Sequence, residues 1–171
     1  MGHPLGVAVT PDNRKVYVSN YEFAKVDVID AASNTIVTSV AMPTPQPYGV
    51  VAHPNGRIVY VVDAGDNTVI PIDTATDTAG TPIPIGPNTA GIAISPNGDK
   101  LYVAAGISPF QAQVDVIDTA SATMTNEIVI APETESPVGI AVTSDGTKVY
   151  RAGDPSKPSD LLIEIGRCSP S

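Results

Sequence analysis

Asp63 and Asp66 flank Ala64-Gly65 between two apolar runs, and two carboxylates at that spacing can offer oxygens to a hard cation. Calcium asks for about six to eight such ligands, and the rest of a calcium loop is missing around this pair, which reads instead as an ordinary solvated turn. The two histidines, His3 and His53, form no i,i+4 pair, and His53 fills a turn slot that Thr10, Ser95 and Thr143 fill elsewhere. Cys168 is the one cysteine, in a tail of residues 167–171, so it can neither bridge within the chain nor build a thiolate metal site. A Gly-x-Ser-x-Gly elbow, a His-Glu-x-x-His helix, a phosphate loop and a Cys-His combination are all missing. No catalytic residue, metal or other cofactor is therefore assigned.

The residues left to do chemistry are binders. Segments that differ from one part of the chain to the next carry Glu22, Asp63, Asp66, Glu133, Glu135, Asp154 and Asp160 against Lys25 and Lys157, with Tyr21, Phe23, Tyr48 and Phe110 among or beside them. Aromatic side chains are enriched at interfaces, and carboxylates around them favour a protein or glycan partner. The competing reading has equal weight: the rings pin loops to the elements beneath. Eighteen acidic against nine basic residues leave a net charge of −9 with no Lys/Arg cluster, which excludes a phosphate-binding surface for nucleic acid. No run approaches the roughly 18 apolar residues of a membrane span, and Met1 leads directly into patterned sequence without an export signal.

The elements that hold these residues repeat. Gly, Pro five residues on and Tyr six further recur as Gly6/Pro11/Tyr17, Gly49/Pro54/Tyr60 and Gly91/Pro96/Tyr102, then as Gly139/Ser144/Tyr150, so the glycines return after 43, 42 and 48 residues. A period of roughly 40 to 50 residues is that of a four-stranded propeller blade. Each repeat opens on an apolar run such as Gly6-Val7-Ala8-Val9 or Gly91-Ile92-Ala93-Ile94, which predicts a strand buried on both faces. A Pro-Asn-Gly-like hairpin turn follows, then a strand around the tyrosine. Third strands read Val26-Asp27-Val28-Ile29-Asp30, Val69-Ile70-Pro71-Ile72-Asp73 and Val114-Asp115-Val116-Ile117-Asp118, and the closing Asp30, Asp73 and Asp118 should accept hydrogen bonds from the turn behind them. Fourth strands fall near 35–41, 79–86 and 126–131; Pro82 and Pro84 confine the second to a sheet edge, and Pro71 predicts a bulge or broken pair.

This predicts an all-β chain of four consecutive four-stranded antiparallel blades, at 4–46, 47–88, 89–136 and 137–167, the last lacking its outer strand, within one partial β-propeller domain over 1–171 that belongs to a larger propeller. An open end of such an array leaves an apolar sheet face that self-association would cover. In each blade the first-to-second and third-to-fourth strand loops share one end, and the variable, acidic loops share the other.

From Gly6-Val7-Ala8-Val9-Thr10-Pro11-Asp12 through Tyr17-Val18-Ser19-Asn20 to Val26-Asp27-Val28-Ile29-Asp30, the blade resembles the YVTN β-propeller repeat family. The resemblance covers nearly the whole chain. It implies a non-catalytic binding or scaffold module of the prokaryotic cell-surface and surface-layer kind, hence an extracytoplasmic place. It also touches, more distantly, quinoprotein dehydrogenase chains and lactonases. The alternative it implies is therefore a fragment of a propeller enzyme such as a lactone hydrolase or lyase, whose acids and histidines come from several blades without a local motif.

Overall fold

The computed structural model describes residues 2–107, 111–130, 139–152 and 162–167, and among them every regular element is a strand. The strands are β1 (Pro4–Val9), β2 (Lys15–Asn20), β3 (Lys25–Asp30), β4 (Thr35–Ala41), β5 (Pro47–Ala52), β6 (Ile58–Asp63), β7 (Thr68–Asp73), β8 (Thr78–Ala79), β9 (Ile83–Pro84), β10 (Ile92–Ile94), β11 (Lys100–Ile107), β12 (Gln111–Asp118), β13 (Thr123–Ile130), β14 (Ile140–Val142), β15 (Lys148–Ala152) and β16 (Leu162–Arg167). They form four antiparallel sheets in sequential order: β1 to β4, β5 to β8 with β9 also on β7, β10 to β13, and β14 to β16. The chain divides into two compact units, Met1–Pro84 and Ile85–Ser171, each built of two sheets.

Local chemistry sets the hairpins. At the fourth turn position Asn13, Gly56, Gly98 and Gly146 all take positive φ, between 59° and 84°. Glycine adopts that region without a Cβ penalty, and asparagine tolerates it. The backbone N–H of each donates three residues back, Asn13 to Thr10 at 2.8 Å and Gly56 to His53 at 2.9 Å for example. In the first three of these turns a proline at the second position, Pro11, Pro54 or Pro96, presets the first φ. In the β3–β4, β7–β8 and β12–β13 turns, Asn34, Asp77 and Ala122 likewise sit at φ of 53–55°.

The outer strand of the second sheet differs from a single strand over 79–86. It is split into β8 and β9, each pairing β7 over two residues, and Pro71 lies in the gap between the two ladders, where its carbonyl accepts from Gly80 N at 2.7 Å. On the β6 side Pro71 stays in register opposite Tyr60. A proline lacking the N–H breaks one ladder while leaving the other, whose partner bonds do not need that donor, in place.

In the first unit, one face of the first sheet packs on one face of the second. Tyr17, Val26, Val28, Val40 and Met42 meet Val50, Val59, Val61, Ile70 and Ile72, with Ala8 and Ala52 filling the gap. Gly6 allows the close approach: a Cβ there would collide with the Tyr48 carbonyl oxygen, and the Ser19 hydroxyl, which accepts from Gly6 N at 2.8 Å, donates to that carbonyl at 2.6 Å. The second unit repeats the arrangement with Tyr102, Val114 and Val116 against Val149, Ile140 and Val142. One expectation is corrected. β1 is not buried on both faces, since Leu5, Val7 and Val9 are exposed, and in β14 so is Ala141. Nothing among the described residues covers those faces.

Candidate functional site

Within each unit, the sheet ends that carry the β1–β2 type hairpins are chemically closed on themselves. Asp12 Oδ1 accepts from Thr10 Oγ1 at 2.6 Å and Arg14 N at 3.1 Å, and Asp145 Oδ1 from Thr143 Oγ1 at 2.5 Å and Thr147 N at 3.0 Å. His53 Nδ1 accepts from Asn55 N at 3.0 Å. At the corresponding end of each sheet Asp30 holds Ser33, Asp73 holds Ala75 and Thr76, and Asp118 holds Ser121, all at 2.8–3.0 Å. Hydrogen bonds to the ionised form keep all of these carboxyls below the usual carboxylate range, with Asp145 lowered to about 2 by its bonds from Thr143 and Thr147.

A cleft of about 340 Å³ opens there between Thr10, Asp12, Arg14, Lys15, Gly56 and Thr74. Its walls are already engaged: Lys15 Nζ donates to Asp77 Oδ2 and Thr74 O at 2.7 Å each, and Thr74 Oγ1 donates to Gly56 O at 2.7 Å. Asp77 also accepts from the buried Tyr17 hydroxyl at 2.6 Å. Burial first, then the bond to Asp77 and its negative charge, push the Tyr17 phenol far above the usual tyrosine range. This cluster ties the second strand of the first sheet to the β7–β8 turn of the second.

The opposite end holds the loops that vary. Tyr21 is fixed through its backbone, donating to His3 O and accepting from Gln46 N at 3.0 Å each, and its half-buried ring meets Tyr48 edge-on with centroids 6.3 Å apart at 85°. These two tyrosines pin the loop that the β2–β3 hairpin makes. Glu22 beside them is exposed and pairs with His3 Nδ1 at 3.2 Å. Phe23 is 55% exposed. Asp66 is exposed as well.

Asp63 does not belong with them. It is fully buried at the end of β6, where Thr44 Oγ1 donates to it at 2.7 Å, Gly65 N at 3.2 Å and Thr44 N at 3.3 Å. A carboxylate closed by three donors braces the linker that follows the first sheet, which corrects its place on an acidic surface and separates it from Asp66 as a ligand pair. Phe110, Glu133, Glu135, Asp154 and Asp160 lie outside the described residues. Groups of three or more potential metal ligands are missing among the described residues.

Sequence reasoning missed a pair of buried polar dyads in the third strands. Asp27 accepts from Lys25 Nζ at 2.7 Å and Ser39 Oγ at 2.5 Å; Asp115 accepts from Gln113 Nε2 at 2.8 Å and Gly86 N at 2.7 Å. Residues 25 and 113 occupy the same slot two positions before the aspartate, so one repeat position supplies an ammonium in one sheet and an amide in the other. Burial pushes both carboxyls up. At Asp27 the Lys25 and Ser39 bonds outweigh it and leave the group below the usual range, whereas Asp115, without a cation, stays above it. The signal was a charged residue set between two valines in Val26-Asp27-Val28 and Val114-Asp115-Val116. Because Lys25 is spent on Asp27, it does not offset Glu22 and Asp66 at the loop end.

The fold is that of β-propeller blades, in which the hairpin end of each sheet is satisfied by its own turns and the first unit bears an exposed loop with an acid and an aromatic ring. The chain matches no protein-family model, and no curated protein matches it. Among solved structures it is similar to Kuenenia stuttgartiensis hydrazine synthase, with a TM-score of 0.81 and 24% identity over 96% of this chain and 49% of that one. The chain thus spans about half the length of that structure. With 1268 chains of solved structures matching, the likeness speaks for a fold rather than for an activity.

Proposed function

We propose that the chain is a non-catalytic propeller module, with blades of the YVTN type, that binds a protein or glycan partner outside the cytoplasm through its variable-loop end. Glu22, Phe23 and Asp66 are its contact residues within the described chain. The observation that supports this reading is the contrast between the two ends. Carboxylates at the hairpin end are consumed by turn hydrogen bonds, while Phe23 stands exposed beside Glu22 on a loop that Tyr21 and Tyr48 hold rigid. A rigid loop presenting an exposed ring and acids loses little entropy on binding. Tyr21 and Tyr48 act here as supports, and Asp63 as a brace.

The test is binding of the immobilised chain to a defined glycan array and to a set of cationic model proteins, repeated with Phe23→Ala and with Glu22→Lys/Asp66→Lys. Hits that weaken at least tenfold in both variants are expected. Hits unaffected by either, or a wild-type chain that binds neither probe set, would overturn the assignment of this end.

A further inference from the structure

Two of the four β1–β2 type turns carry the same tripeptide, Pro54-Asn55-Gly56 and Pro96-Asn97-Gly98, and both asparagines are exposed. Asparagine is thermolabile, most of all before glycine, which has no side chain to hinder attack by its own backbone nitrogen. The glycine nitrogen bonds to the asparagine Cγ, the Cγ–Nδ2 bond breaks, and ammonia leaves with the proton that the glycine nitrogen loses. Water then opens the cyclic imide, at Cγ to give aspartate or at the main-chain carbonyl to give isoaspartate. The shared tripeptide gives the two turns equal standing. So does the attacking nitrogen, since Gly56 N donates to His53 O and Gly98 N to Ser95 O at 2.9 Å each.

The two asparagine side chains are held differently. Asn55 Oδ1 accepts from Arg57 N at 2.9 Å, which polarises the Cγ carbonyl toward attack, and its Nδ2 has no partner among the described residues. Asn97 Oδ1 lies 3.3 Å from Asp99 N, and Asn97 Nδ2, the group that must leave, donates to Asp99 Oδ2 at 2.7 Å. Attack passes through an anionic nitrogen and an oxyanion at Cγ, which a carboxylate bonded to the same amide opposes and a cation two residues on, Arg57, favours. Where the ring opens to aspartate, the product also suits one turn and not the other. Asp12 and Asp145 occupy the equivalent position in the first and fourth sheets and accept from the N–H two residues on, Arg14 N at 3.1 Å and Thr147 N at 3.0 Å. An aspartate at position 55 meets Arg57 N in that same place, whereas one at position 97 would set its carboxylate against that of Asp99. We infer that Asn55 is a modification site, a residue that deamidates in the folded chain within a turn already shaped for its aspartate product, and that Asp99 protects Asn97. This inference does not depend on the loop end or on its partner.

Peptide mapping by tandem mass spectrometry tests it on the full chain incubated at mildly alkaline pH, by following the exchange of amide for acid at each asparagine. Unfolded in urea, the two positions should convert at similar rates, because their tripeptide is the same. In the folded chain position 55 should convert at least tenfold faster than position 97. Asp99→Ala removes the tether and the charge, and should speed conversion at position 97 at least fivefold while leaving position 55 unchanged. Asn55→Asp stands in for the product and should keep the urea midpoint of wild type. The comparison of folded with urea-unfolded chain uses wild type alone, so it decides the matter even where a variant fails to fold by circular dichroism. A folded chain in which position 97 keeps pace with position 55, or in which neither converts while the unfolded chain does, would overturn the inference. So would a preference for position 55 that persists in urea, a position 97 that stays slow in folded Asp99→Ala, or a midpoint lowered by Asn55→Asp.

Discussion

Replacing Asp77 by asparagine should cost the first unit about 2 kcal/mol. Asp77 sits at φ 53°, a region that asparagine accepts, so the backbone is left unstrained and only the charge is removed. The carboxylate accepts from Tyr17 OH at 2.6 Å and from Lys15 Nζ at 2.7 and 2.9 Å, and its side chain is 16% exposed. A hydrogen bond to a charged group contributes about 1.5–3 kcal/mol against about 0.5–1.5 for a neutral pair, so neutralising the acceptor loses about 1 kcal/mol for Tyr17 and about as much for Lys15. Lys15 keeps the Thr74 carbonyl, which limits the loss. At roughly 2–4 °C per kcal/mol for a chain of this size, the midpoint should fall by about 4–8 °C. Urea unfolding followed by circular dichroism measures the change, and Tyr17→Phe in both backgrounds closes a double-mutant cycle. The coupling should be about 1 kcal/mol. A loss under about 0.5 kcal/mol, typical of exposed ion pairs, or strictly additive substitutions, would refute the view that this cluster joins the two sheets.

Two further outcomes follow from the same chemistry. Burial raises the Tyr17 and Tyr60 phenols, with Asp77 adding to the effect at Tyr17, so the folded state favours their neutral forms. The stability this contributes is complete below the ordinary tyrosine value of about 10 and falls away above it. An absorbance titration should accordingly show part of the tyrosine signal rising only as the chain unfolds, whereas six tyrosines ionising together near 10 would contradict it. Ala122 holds φ 53° where the equivalent turn carries Asn34 in the first sheet and Asp77 in the second. Relieving a left-handed alanine should make Ala122→Asn more stable by about 0.5–1 kcal/mol in urea unfolding, and an unchanged or lower midpoint would count against that strain.

How much could be read from residues alone follows from what each element depends on. The Gly-to-Tyr cadence, Pro-Asn-Gly hairpins and Val-rich third strands are local or periodic signals, and they gave the four sheets, their order and their turns. The self-satisfied Asp30, Asp73 and Asp118 were legible for the same reason, being bonded within three residues. Asp63 was not, because its partner Thr44 is 19 residues away and only the fold brings the hydroxyl to the carboxylate. Asp27 and Asp115 were passed over because half of their donors come from afar, Ser39 and Gly86, and the other half, Lys25 and Gln113, lie two residues back and are seen as partners only once both are placed on that face. The exposure of Val7 was illegible on principle. Val7 and Val50 are the same residue in the same repeat slot, and their difference lies in what stands beside each sheet.

The split of the second sheet's outer strand bears on solubility. β4 and β13 run seven and eight residues as outer strands, each with a single register shift, and expose Ile36, Val37, Met124 and Val129. A long apolar edge is a template on which another chain can add a strand. β8 and β9 offer only two residues each, separated by Gly80 and Pro82 and with Pro84 inside β9, so the middle of that edge presents no ladder to extend. Misassembly at high concentration should therefore start from β4 and β13, and prolines or lysines placed there, rather than anywhere along residues 78–84, are what would keep the chain in solution.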